Sequence, residues 1–130
     1  LSMWANTFLP PKDQGLALDM HIYTCFEMSQ LKMDDNSHIA TCCGMSDGLA
    51  KSNLKIWTFV HEFTPAPTDC ALEFNGQGTS TQYNGTFMNS PQVCLCQGKS
   101  GSALIFSKEY KNSLAKFFEV QMTVYEKELG

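Results

Sequence analysis

The 130-residue chain is 43% hydrophobic and 17% charged with a formal net charge of −4, the balance of one globular domain with a single core and not of a disordered tail or a membrane span. Its nine basic residues are all lysines, and the absence of the bidentate arginine guanidinium argues against nucleic-acid recognition. Six cysteines without a zinc-type CxxC pair predict three disulfides and an oxidising, secretory setting.

Residues 1–15, with Pro10-Pro11 and little periodicity, read as an extended lead-in against which Trp4 and Phe8 dock, and residues 16–130 as one domain. The first ten residues lack a basic n-region and a long apolar run, so any signal peptide is expected to have been removed. From Leu16 the pattern alternates: Leu18, Met20, Ile22, Thr24 and Phe26 share one face, and Asp19, His21, Tyr23, Cys25 and Glu27 the other, which predicts a strand. Residues 31–33 suggest a short strand, Asp34-Asp35-Asn36-Ser37 a turn, residues 38–43 another strand and residues 44–52 a loop.

Residues 54–63 are the most strand-like segment before the C-terminus. Leu54, Ile56, Thr58 and Val60 face one way, and Trp57, Phe59, His61 and Phe63 the other. Apolarity on both faces suits a central strand or a partner-facing patch. After the proline-broken stretch 64–68, residues 70–74 resume a strand pattern and Asn75-Gly76-Gln77-Gly78 reads as a turn. Residues 79–88 form a hydroxyl-rich edge carrying the sequon Asn84-Gly85-Thr86, a candidate glycosylation site at Asn84. Cys94 and Cys96 then precede a turn at Gly98 and Gly101, and residues 103–106 are a short apolar run expected to be a strand. In residues 116–128, Phe118, Val120, Met122 and Val124 alternate with Glu119, Gln121, Thr123 and Tyr125, which predicts the final strand. Seven or eight short strands make the expected class all-β, a sandwich or small barrel.

Chemistry is sparse by spacing. His21, His38 and His61 stand without metal-ligand intervals, so no metal and no cofactor are expected. An even cysteine count leaves no free nucleophilic thiol, and Asp34-Asp35 lacks the further acidic residues of a calcium loop; no catalytic activity is expected.

Cys96-Gln97-Gly98 followed by Ala103-Leu104-Ile105-Phe106-Ser107 resembles the Cys-Gly turn and Ala-Leu-Val-Tyr-Ser-like strand of the ZP-N domain, the polymerising immunoglobulin-like module of egg-coat proteins. Phe106 stands where that pattern has tyrosine, and Gln97 and two further cysteines depart from it. The resemblance implies an immunoglobulin-like β-sandwich with links Cys25–Cys96 and Cys43–Cys70, leaving Cys42–Cys94 as an added pair. It further implies a secreted egg-coat filament module, associated with other ZP modules and bound without cleavage by a basic, lysin-like sperm protein in gamete recognition. Trp57, Phe59 and Phe63 would form the binding patch, with the edge at Tyr83 and Met88 as a second candidate. The rival readings are a secreted lipocalin-like barrel carrying a small hydrophobic ligand, and a secreted immune modulator or inhibitor.

Overall fold

In the computed structural model, which describes residues 2–8 and 11–129, two parallel strands are joined by helices and a long helix closes the core. The elements are α1 (Ser2–Thr7), β1 (Ala17–Ile22), α2 (Met28–Leu31), α3 (Asp35–Gly44), α4 (Ser46–Asn53), β2 (Trp57–Phe63), a 3-10 turn (Ala103–Ile105) and α5 (Lys108–Leu129). This is a mixed α/β arrangement, which overturns the expected all-β sandwich of ZP-N type; among the described residues only two strands pair. Of the expected lead-in, Leu1, Leu9 and Pro10 lie outside the described residues, and Ser2–Thr7 is helical instead of extended.

The strand alternation in residues 16–22 and 57–60 is as expected: Leu18, Met20 and Ile22 turn inward from β1, as do Thr58 and Val60 from β2. The strands run parallel because three helices carry the chain back between them, and a parallel pair needs such a crossover. Residues 35–44 are a helix and not a strand because Asp34 caps them, its carboxylate accepting from the Ser37 amide at 2.7 Å. The Ser37 side chain first, and then its amide, hold the Asp34 pKa below the usual range by hydrogen bonding. Glu27 and Gln30 form a reciprocal capping box at the start of α2.

The largest misreading is α5, where the alternation of Phe118, Val120, Met122 and Val124 suggested a strand. The buried residues are Phe117, Gln121, Val124 and Tyr125, at i, i+4, i+7 and i+8, and they lie on one helical stripe. A polar Gln121 in that stripe masks the helical period; its Nε2 donates to the Thr64 carbonyl at 3.0 Å. Ser107 caps this helix by accepting from the Tyr110 amide at 3.1 Å. The core is Ile22, Cys42, Leu49, Phe117, Val124 and Tyr125, with Met20, Val60 and Phe63 packed against it.

Residues 64–102 form successive turns organised by Asp69, which is fully buried. Its carboxylate accepts from the Gln82 amide at 2.7 Å, the Tyr83 amide at 3.0 Å and Asn75 Nδ2 at 2.7 Å. Gly98 and Gly101 adopt φ of 73° and 83°, the left-handed conformation that suits glycine in a turn.

One buried group makes stability pH-dependent. His38 is 1% exposed, with Nδ1 3.3 Å from Thr24 Oγ1 and Nε2 unpartnered. Burial depresses its pKa, opposed by the nearby Asp35 and Asp34. The unfolded chain therefore binds this proton more readily than the folded one. Stability should fall as pH drops from about 6.5 through the lower folded value, and level off below it. Denaturant titrations between pH 7.5 and 5 are expected to show that slope in the wild type and a flatter one in His38→Gln.

Candidate active site

The register of the two strands contains one irregularity, and it builds the site. Asp19 pairs with Phe59 and Met20 with Val60, but His21 pairs with Glu62, so His61 is the extra residue of a bulge. A one-residue slip exchanges the faces of everything that follows. The bulge thus moves Glu62 to the outer face beside His21, and turns Phe63 inward to meet Tyr125 edge-on at 5.1 Å.

Around Glu62 the polar groups converge. The Tyr23 hydroxyl donates to Glu62 Oε2 at 2.5 Å, and His21 Nδ1 lies 3.3 Å from the same oxygen. The other ring nitrogen of His21, Nε2, is 3.3 Å from Asp19 Oδ2, which is also 3.4 Å from His61 Nδ1. Among the described residues, Glu62 Oε1 has no protein partner. The Tyr23 pKa is raised, chiefly by its hydrogen bond to Glu62, so the phenol keeps its proton as a donor. His21, Tyr23 and Glu62 lie at or just beyond the C-terminal ends of the parallel strands, where sheets of this kind bind ligands, and Asp19 lies mid-strand. A cleft of about 200 Å³ lined by Phe8, Leu16, Lys55 and Trp57 lies at the opposite end of the strands and touches none of these groups.

The sequence-derived candidates fare differently. Trp57 and Phe59 are exposed on β2, at 74% and 45%, whereas Phe63 belongs to the core, so the three rings do not form one patch. Tyr83 is half-buried, with Lys99 5.8 Å from its ring; Met88 is exposed at a turn, and no strand edge joins them. Asn84 lies in a turn, its side-chain oxygen accepting from Thr86.

Cys70 pairs with Cys96 in place of the implied links Cys25–Cys96 and Cys43–Cys70, and Cys42 is not joined to Cys94. Cys25, Cys42, Cys43 and Cys94 are free thiols, which corrects the expectation that all six are oxidised. Cys25 is fully buried, and its pKa is pushed up to about 11 by that burial and by Asp69.

Sequence reasoning missed Glu62. Its one signal is a carboxylate that strict alternation groups with Thr58 and Val60 on the inward face, where an unpaired charge is disfavoured.

A parallel strand–helix–strand unit with a partnered carboxylate near the strand ends is an α/β arrangement, and such an arrangement alone names no activity. The chain is 34% identical over 117 residues to a probable glucan 1,3-beta-glucosidase A of Aspergillus niger, an alignment that covers 89% of this chain and 28% of that protein. It is 33% identical over 119 residues to a glucan 1,3-beta-glucosidase of Blumeria graminis, with 89% and 28% covered. Glucan 1,3-beta-glucosidase D of Emericella nidulans is 30% identical across the whole chain, which spans 17% of it. No protein-family model matches.

The chain thus spans little more than a quarter of the A. niger and B. graminis relatives. These similarities overturn the ZP-N resemblance and, with it, the egg-coat receptor, the sperm-protein and ZP-module partners, the lipocalin-like alternative and the expectation of a protein without enzymatic character. Of the expected location, the extracellular part stands, in keeping with the Cys70–Cys96 disulfide; the egg coat does not. No helix among the described residues is long and apolar enough to cross a membrane.

Proposed function

We propose that this chain is the part of a β-1,3-glucan hydrolase that carries one of its two catalytic carboxylates, Glu62. The observation that carries the reading is the convergence of Tyr23 and His21 on one Glu62 oxygen at the C-terminal end of the strand pair. Glycoside hydrolysis generally uses two carboxyl groups flanking the scissile bond, one protonating the leaving group and the other acting as nucleophile or base. Glu62 accepts hydrogen bonds, so it suits the second role, with Oε2 anchored by Tyr23 and Oε1 left to meet the sugar or a water. The partner acid would come from outside these residues, since Asp19 is engaged by two histidines. The names of the relatives supply the substrate class. A fungal extracellular or wall setting follows from that reading.

Tyr23→Phe tests it in the complete protein with a linear β-1,3-glucan as substrate. A hydrogen bond to a charged group is worth about 1.5–3 kcal/mol, which corresponds to a roughly 10- to 150-fold loss of kcat/KM. An unchanged kcat/KM would remove Tyr23 from the site, and no glucan hydrolysis by the wild type would end the proposal.

A further inference from the structure

The geometry points to a transition-metal site formed by Asp19, His21 and His61, through which a divalent ion of the zinc, copper or nickel type would inhibit the enzyme. The three residues offer one ligand atom each, all within 4.8 Å of one another. Asp19 Oδ2 is 3.3 Å from His21 Nε2 and 3.4 Å from His61 Nδ1. A tetrahedral ion with bonds of about 2.0–2.1 Å sets its ligand atoms about 3.3–3.4 Å apart, so two of the three edges already have the required length. Two imidazoles and one carboxylate form a donor set for zinc, copper or nickel and a poor one for magnesium or calcium.

Three features make this more than a surface ion cluster. The ligands stand on two paired strands, with Asp19 and His21 fixed two residues apart on one face of β1. The bulge at His61 brings the third ligand within reach, and an unbroken register would not place both His61 and Glu62 on this side. Finally, the far nitrogen of His21, Nδ1, is 3.3 Å from Glu62 Oε2, the carboxylate–histidine–metal relay that orients ligating imidazoles. All three side chains are exposed, which leaves the fourth position to water.

Binding and inhibition separate cleanly. Binding rests on the geometry alone, whereas inhibition rests on the reading of Glu62 as catalytic: an ion on His21 fixes that ring with Nδ1 donating to Glu62 and places positive charge beside the carboxylate, which weakens it as a nucleophile. Calorimetric titration with zinc chloride, with the exposed thiols of Cys43 and Cys94 alkylated beforehand, reads the first half. One zinc ion per chain is expected, with magnesium failing to compete. His61→Ala and Asp19→Asn, each checked for folding by circular dichroism, should each lose at least tenfold in zinc affinity. Zinc affinity equal in wild type and in the folded variants would overturn the site, and Asp19→Asn decides the matter alone if His61→Ala does not fold. For the second half, glucan hydrolysis by the complete protein should fall with zinc, recover with a chelator and become at least tenfold less zinc-sensitive in His61→Ala. Zinc binding that leaves hydrolysis unchanged would overturn the inhibitory role and leave the metal site standing.

Discussion

Replacing Glu62 by alanine is expected, in the role proposed for it, to lower kcat/KM for glucan hydrolysis by roughly 10⁴-fold or more, because that role is a covalent nucleophile or essential base whose loss removes a chemical step. The effect should fall on kcat much more than on KM, since in the proposed role Oε1 would act on the transition state and not in holding the bound glucan. Glu62→Gln keeps the shape and can still accept from Tyr23, so a comparable loss there would show that the negative charge, not the volume, is required. Azide-dependent formation of an α-glycosyl azide by Glu62→Ala would identify a nucleophile, because the anion then bonds to the anomeric carbon from the vacated side as the β-linked glucan leaves with a proton from the acid, whereas a β-glycosyl azide would identify the acid/base. Two carboxyl groups about 5–5.5 Å apart in the complete protein would agree with that outcome, and a gap of about 6.5–9.5 Å would point to a base acting through water. Folding should survive, as Glu62 is half-exposed with its side chain 47% accessible. Retention of more than a tenth of wild-type kcat/KM in Glu62→Ala would overturn its assignment.

Why the sequence showed the strands but not the site follows from how each is encoded. Alternation is local, so Leu18, Met20 and Ile22 announced the inward face of β1 and Thr58 and Val60 that of β2. The bulge is not local. Strict alternation across residues 57–63 grouped Phe63 with Trp57 and Phe59 and set Glu62 on the inward face, and only pairing with β1 shows the slip at His61. No two histidines stand at ligand spacing within the chain, and His21 and His61, 40 positions apart, both reach Asp19 because their strands pair.

The helices failed for a different reason. In α5 every second residue from Phe118 to Val124 happens to be apolar, and the polar Gln121 interrupts the true stripe. In α3 the stretch Asp34 to Ser37 is a helix start signal that also reads as a turn, and residues 38–43 therefore read as a strand after it. The ZP-N resemblance rested on Cys96-Gln97-Gly98 and a short apolar run, and that run is a 3-10 turn beyond the Cys70–Cys96 disulfide.

The largest expected effect on stability belongs to Asp69, because its fully buried carboxylate gathers three donors from the turn-rich stretch 64–102. Removing its carboxylate in Asp69→Ala takes the partner from the half-buried amides of Gln82 and Tyr83, while Asn75 Nδ2 keeps the Ser80 carbonyl at 3.0 Å. Each buried donor left without a partner costs about 1–3 kcal/mol, so two orphaned amides alone imply a loss on the order of 3 kcal/mol. Asp69→Asn separates charge from hydrogen bonding. Its carbonyl oxygen can still accept from one amide, but its NH₂ faces a donor, so it should recover only part of the loss. The disulfide at the adjacent Cys70 would still tie the two ends of this stretch together, and for that reason the damage should stay local. Hydrogen exchange is then the sharper measurement: the amides of Gln82 and Tyr83 should lose protection in Asp69→Ala while those of α5 keep theirs. Denaturation midpoints unchanged from wild type, with those two amides still protected, would show that the carboxylate does not organise the segment. Such a result would also loosen the connection between this segment and the site, since Gln82 Nε2 donates to the Phe26 carbonyl at 2.8 Å, three residues beyond the Tyr23 that holds Glu62.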